Sequence, residues 1–412
     1  MINKTELSAR DNGLTEKGTA FLSIKNDLTH DCDLSHKSIQ LNNKKRMMEL
    51  FKASEADWND WIWQMQHRII SVEQLALALP LCKEQLDVTE KVSKKYRFAV
   101  SPYYLSLINP NDLNDVIAKM VLPSEKELLE FGVSDPSDEM NSNPVGAVVR
   151  RYPDRVIINV TNSCSSYCRH CQRRRLIGDI DSKTSKAKIF ESIDYIAKHT
   201  EIRDVLITGG DALSLSDKEI EFLLSQLRSI NHIEIIRIGT RMPVNLPQRI
   251  TKELVATLKK YSPIYLNTQF NHPNEITAES VNCLNMLADN GIVLGNQMVL
   301  LNGVNNDKYV VRYLNQLLLS NRVRPYYIFQ AKNVQGTEHF KTSINEGLEI
   351  INYLQGNTSG LAIPTYIYSV PKGKGKVPLC PQYVKRTDGD KFIVKTWENL
   401  EITINEYGEE IQ

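Results

Sequence analysis

Four absences narrow the functions open to this chain of 412 residues. It has no run approaching the roughly 20 consecutive apolar residues of a membrane span, so none is expected. Its N-terminus, MINKTELSARDNGLTEKGTAF, lacks the basic-then-apolar pattern of a secretory signal, which makes the cytoplasm the expected compartment. Neither sign of charge dominates: 50 basic side chains meet 49 acidic ones. No global field therefore selects nucleic acid or anionic lipid, although a local basic cluster can hold a small anion. Nor do the cysteines suggest a disulfide framework, because the seven are odd in number and uneven in spacing. Cys32, Cys82 and Cys283 read as small buried hydrophobes. What is present is a globular composition, 42% hydrophobic and 24% charged, sufficient for one large domain or two.

Residues 1–40 are polar, poor in aromatics and without a sustained period, the pattern of a mobile or peripheral extension. Residues 41–147 read as helical. Leu50, Phe51, Trp58, Trp61, Ile62 and Trp63 recur at spacings of three and four, and Ser54–Asp57 supplies a capping break between two helices. Core packing is the expected role of Trp58, Trp61 and Trp63. The turn-rich stretch 133–147, GVSDPSDEMNSNPVG, reads as a linker and domain boundary.

Beyond it, β-branched runs at 155–160, 204–208, 233–238, 264–268, 293–300 and 323–329 alternate with helical patterns. This alternation predicts right-handed βαβ units and a parallel sheet, either open or wrapped toward a barrel. Six units, followed by a helix at 342–354 and a strand at 363–369, suit a partial barrel better than a complete eightfold one. The expected layout is a core over 148–340 and a C-terminal segment over 341–412. Polar signatures follow the strands, at the carboxyl ends where such sheets gather their sites.

Cys164, Cys168 and Cys171 have CxxxCxxC spacing. A compact loop with that spacing can aim three soft thiolates at one centre and leave a coordination position open. In a cubane iron–sulfur cluster the fourth iron would be free to bind a small molecule. A zinc site completed by His170 is the alternative. The neighbouring arginines, together with the KGKGK run near the C-terminus, also permit an iron–sulfur protein that binds or modifies RNA.

The chain resembles the radical S-adenosylmethionine superfamily in this cysteine spacing. Within it, the resemblance is to the lysine 2,3-aminomutase family, through RYPDRV (151–156), CSSYCRHCQRRR (164–175), ITGGDAL (207–213), RIGTRMPVNLPQRIT (237–251), NTQFNHPNEIT (267–277) and RVRPYYIFQ (322–330). The implied fold is α/β: a partial (β/α)6 radical-SAM barrel with an N-terminal helical region and a C-terminal segment carrying the pyridoxal-phosphate lysine.

The implied cofactors are a 4Fe–4S cluster held by Cys164, Cys168 and Cys171, S-adenosylmethionine, and pyridoxal 5′-phosphate. A deoxyadenosyl radical takes a β-hydrogen from an amino acid carried on pyridoxal phosphate, and the nitrogen migrates from Cα to Cβ. Gly209, Gly210 and Asp211 match the element that meets the S-adenosylmethionine amino group, and His170 is placed among the cofactor-binding residues. In VPKGKGKVP (370–378), Lys376 matches the Schiff-base lysine. Arg151, Arg155 and Gln297 match positions near that coenzyme, and Arg173 the residue that grips the substrate α-carboxylate. The isolated Cys380 leaves no clustered zinc site of the kind some relatives carry.

Lysine-specific members place two aspartates around the distal ammonium of lysine. Here those positions hold Lys332 and Ser369, an ammonium and a hydroxyl, which favour a distal carboxylate. The implied substrate is L-glutamate and the product β-glutamate. Glutamate-specific members are expected to carry asparagine where Ser369 stands, so that residue is a departure. The alternatives are an aminomutase for lysine or for another amino acid. An electron donor such as flavodoxin or ferredoxin and a homo-oligomer are implied as partners, and neither nucleic acid nor membrane.

Overall fold

The computed structural model describes residues 4–30, 36–387 and 391–411, so Cys32 lies outside the described residues. The sheet begins with an antiparallel strand, β1 (Val148–Arg150). Seven strands then pair in parallel in chain order: β2 (Arg155–Asn159), β3 (Asp204–Thr208), β4 (Ile235–Gly239), β5 (Ile264–Thr268), β6 (Val293–Leu300), β7 (Arg324–Gln330) and β8 (Thr365–Ser369). An antiparallel β9 (Lys376–Pro378) ends the order, leaving β1 and β9 at opposite edges. The result is an open, curled half-barrel of six strand–helix units plus one further parallel strand. A separate meander of β10 (Val384–Arg386), β11 (Lys391–Lys395) and β12 (Glu401–Asn405) follows.

Local chemistry explains each unit. The six intervening helices begin after Ser185, Ser216, Thr251, Thr277, Asp307 and Ser343, whose side chains accept from backbone N–H groups of the first turn. Each such cap is worth about 1 kcal/mol. Along the strands, burial alternates with period two. Val156, Ile158, Val205, Ile207, Ile236 and Ile238 are buried in the core, and the residues between them are less covered. A register shift at Asn296/Gln297 in β6 makes the strand irregular beside the cavity.

The helical N-terminal region shares this core. Trp58, Trp63, Tyr103, Tyr104 and Met120 belong to the same buried cluster as the barrel strands, so the turn-rich stretch 133–147 does not interrupt the core. Ser54 caps Glu55–Asn59 with a reciprocal Asp57 bond, as the capping break predicts. Trp61 is less buried than Trp58 and Trp63 and stacks under the Arg249 guanidinium at 4.3 Å.

One expectation gains detail and one needs correction. Within the polar extension, Lys4–His30 is a helix. It docks through Phe21, 4% exposed and 3.5 Å from the Arg312 guanidinium. Phe21 is the only buried residue between 11 and 28, too little to create a helical period in the sequence. Cys82 is exposed instead of buried, at the cap of Lys83–Ser93, whereas Cys283 is buried.

Candidate active site

One cavity of about 240 Å³ collects residues from the cysteine loop, from β6 and β7, and from the last hairpin. Cys164, Cys168, Cys171, His170, Gly209, Gly210 and Asp211 line one part of it; Arg151, Arg173, Gln297, Lys332, Ser369 and Lys376 complete it. Arg155 is not among the lining residues. Its guanidinium lies 4.0 Å from the Tyr152 ring, and its charge still acts on the Lys376 amine.

The cysteine loop is held by its backbone. Tyr167 N–H donates to Ala99 O and Arg169 N–H to Met120 O, both at 2.8 Å, tying the loop to the N-terminal region. Arg68 Nη1 donates to Cys164 O at 2.7 Å. Burial and mutual repulsion raise the Cys164 and Cys171 thiols, the latter to about 11. Among the described residues, no three His, Cys, Asp or Glu side chains are set to hold a single metal ion. Burial, then Arg241 and His339, lowers His170 to about 3. It is neutral, and its Nδ1 is buried without a hydrogen-bond partner among the described residues.

The glycines of the Gly209-Gly210-Asp211 turn serve the cysteine loop directly. A Cβ on Gly209, whose φ is 134°, would lie 2.4 Å from Thr161 O, and one on Gly210 would lie 2.5 Å from Ser163 O. The turn thus abuts the backbone just before Cys164. Asp211 is 4% exposed and accepts from Thr240 Oγ1 (2.6 Å), Arg241 N (2.6 Å) and Leu213 N (3.0 Å). Burial nevertheless raises its carboxyl above the ordinary range.

At the other side, β8 and β9 form a hairpin in which Ser369 and Lys376 are cross-strand partners. Gly373 and Gly375 turn it with φ of 68° and 98°. Tyr152 OH accepts the Lys376 N–H at 3.0 Å, and the Lys376 amine lies 5.0 Å and 4.8 Å from the Tyr327 and Phe329 rings. Desolvation, then Arg237, Arg155, Arg151 and Arg173, lowers that amine to about 8. Lys372 and Lys374 are exposed and do not line the cavity. Lys332 Nζ donates to Ser137 Oγ at 2.6 Å and Gln172 Oε1 at 2.5 Å. Burial, then Arg151 and Arg173, brings Lys332 down to about 7 against the pull of Glu139.

Arg241, one of the polar residues expected to follow the strands, reaches Cys168 Sγ at 2.5 Å and Glu275 at 2.6 Å. The sequence reading missed the acids that partner the basic residues around the site. Glu139 pairs with Arg173 at 3.0 Å and Arg151 at 3.3 Å, from within the stretch read as a linker. The basic run of the cysteine loop is also answered by acids nearby in space: Arg169 and Arg174 by Glu127, Arg173 by Glu139, Arg175 by Asp135. It is not a free basic patch, which removes that support for RNA binding. Glu127 is fully buried between two guanidiniums that hold its carboxyl down although burial opposes them. Replacing it by glutamine leaves buried arginines uncompensated and is expected to cost about 3–5 kcal/mol of stability, read by urea unfolding of the apoprotein. A loss under 1 kcal/mol would refute that role.

A half-barrel with a cysteine trio at its mouth defines a radical-SAM protein, and the radical SAM superfamily profile matches residues 158–313. A second profile, described as lysine-2,3-aminomutase, matches residues 351–411. The chain is 52% identical to glutamate 2,3-aminomutase of Clostridioides difficile (strain 630), covering 90% of this chain and 88% of that one. It is 49% identical to L-lysine 2,3-aminomutase of Clostridium subterminale, over 88% of each. The L-lysine 2,3-aminomutase of Acetoanaerobium sticklandii is 46% identical over 86% of each chain. This chain belongs to the lysine 2,3-aminomutase family of radical S-adenosylmethionine enzymes. It is an isomerase acting on an amino acid, with a 4Fe–4S cluster, S-adenosylmethionine and pyridoxal phosphate as cofactors. Among the described residues no helix is long and apolar enough to cross a membrane.

Proposed function

We propose that the substrate is L-glutamate, whose amino group moves from C2 to C3 to give β-glutamate. Identities of 52% and 49% to glutamate and lysine enzymes do not separate the two substrates. The observation that carries the reading is Lys332, a half-buried cation lining the cavity. A second ammonium 4 Å from it would be repelled by about 4 kcal/mol at an effective dielectric near 20, whereas a carboxylate would be attracted. The surrounding charges agree. Arg151, Arg173, Arg241, Lys332 and Lys376 line the cavity, against Glu139 and Asp211. Such a surplus suits a phosphate and two carboxylates together.

When bound, the cluster and S-adenosylmethionine supply a carbon radical, and pyridoxal phosphate a conjugated carrier for nitrogen. The residues present fit these groups. Cys164, Cys168 and Cys171 would hold the cluster, with Gly209, Gly210, Asp211 and His170 around the S-adenosylmethionine. The buried Arg151 Nε has no partner among the described residues, as a coenzyme phosphate requires. Gln297 lies with it along the cavity, and Arg155 acts on Lys376 through its charge. Lys376, its proton loosened toward neutral pH, would anchor the coenzyme. Arg173 would take the α-carboxylate; Lys332, with Ser369, the distal one. An external one-electron donor of flavodoxin or ferredoxin type and a cytoplasmic homo-oligomer belong to the same reading.

The test is anaerobic. Reconstituted enzyme with all three cofactors and a reductant is given L-glutamate or L-lysine, and products are followed by proton NMR. A β-amino acid from glutamate alone is expected, and conversion of lysine alone refutes the assignment. Because Lys332 is charged only below about 7, kcat/KM for glutamate should fall as pH rises through that value. A Lys332→Met variant should lack this limb.

A further inference from the structure

The stretch 133–147 supplies both holders of the substrate-gripping cations. Asp138 sits in the left-handed region at φ 53°, a conformation aspartate tolerates better than most residues. On either side of it, Ser137 and Glu139 are 6% and 5% exposed. Glu139 receives Arg173 Nε at 3.1 and 3.0 Å and Arg173 Nη2 at 3.0 Å. This occupies the Nε–Nη2 edge, and Arg173 Nη1 keeps no partner among the described residues. Ser137 and Gln172 take two of the three Lys332 N–H groups, leaving one unassigned. The lysine-bearing hairpin packs on the same corner: a Cβ on Gly373 would lie 3.3 Å from Ser137 O.

We propose that the Ser137–Glu139 corner positions the two carboxylate-binding cations and thereby sets substrate specificity. Glu139 orients Arg173 so that Nη1 meets the α-carboxylate. Ser137, with Gln172, orients Lys332 so that its remaining N–H meets the distal carboxylate. The first role needs only an α-amino acid; the second rests on the glutamate reading above. Neither residue takes part in the reaction, and both act through a neighbour. Arg151, also paired to Glu139, couples this corner to the coenzyme end of the cavity.

The experiment measures binding to the pyridoxal-phosphate-loaded enzyme without reductant, by anaerobic calorimetry. The probes are L-glutamate and L-2-aminobutyrate, which lacks the distal carboxylate. Glu139→Gln is expected to raise both dissociation constants about tenfold or more, since a charged hydrogen-bond acceptor is lost. Ser137→Ala is expected to raise that of glutamate about fivefold and leave 2-aminobutyrate unchanged, and Ser137→Thr, which keeps the hydroxyl, to restore it. The absorbance of the bound coenzyme and the melting temperature identify a variant that has merely unfolded. An unchanged 2-aminobutyrate constant in Glu139→Gln, or equal weakening of both ligands in Ser137→Ala, overturns the proposal. If the unsubstituted enzyme binds no glutamate, the substrate reading fails. The Glu139 arm is then decided with the amino acid that does bind: weakening supports it and no change overturns it.

Discussion

Lys376→Ala is expected to abolish formation of any β-amino acid, a loss on the order of 10³-fold or more, because neither of the other lysines of its loop can replace its amine. The other two lysines of the loop are displaced by the turn itself. Lys372 has φ 58° and Lys374 stands between Gly373 and Gly375, both also left-handed. Neither lines the cavity, whereas Lys376 is fixed in β9 opposite Ser369, with its amine by the Tyr327 and Phe329 rings. Proton NMR of the products and the absorbance of bound pyridoxal phosphate provide the check. Reductive cleavage of S-adenosylmethionine should survive, since Cys164, Cys168, Cys171 and Asp211 are untouched. A variant that retained both the chromophore and turnover would move the anchor elsewhere.

The second large effect is expected from reversing the charge at Lys332. Lys332→Asp exchanges an attraction to the distal carboxylate for a repulsion of similar size. At about 4 Å and an effective dielectric near 20 each is about 4 kcal/mol, so kcat/KM for glutamate should fall about 10³-fold or more even after screening. Adding Ser369→Asp restores two carboxylates and should admit L-lysine. The second substitution has a side effect that the hairpin register makes predictable. A carboxylate across from Lys376 raises that amine from about 8, so the double variant should need a higher pH for loading of the coenzyme. Product NMR in separate glutamate and lysine incubations measures both changes. Undiminished glutamate turnover in Lys332→Asp would sink the pocket assignment.

The sequence by itself determined the features written in local order. Period-two strands, capped amphipathic helices and their regular alternation specify the parallel units, and strands at 204–208, 264–268 and 293–300 have the bounds their β-branched runs predict. The cysteine spacing and the Gly209-Gly210-Asp211 turn are likewise local, and they line one cavity.

Only the tertiary structure decided what depends on residues far apart in the chain. Antiparallel β1 and β9 leave the sheet open, which no count of units could show. A polar helix docks with Phe21 as its one buried residue between 11 and 28, leaving no period to detect. Most of all, a carboxylate in a turn-rich segment looks solvated until folding removes its water. Glu127 and Glu139 then lie buried against arginines more than 30 residues away, and burial makes pairing compulsory. Composition registered those charges as balanced, but only packing determined which ones meet, and therefore which cations line the cavity.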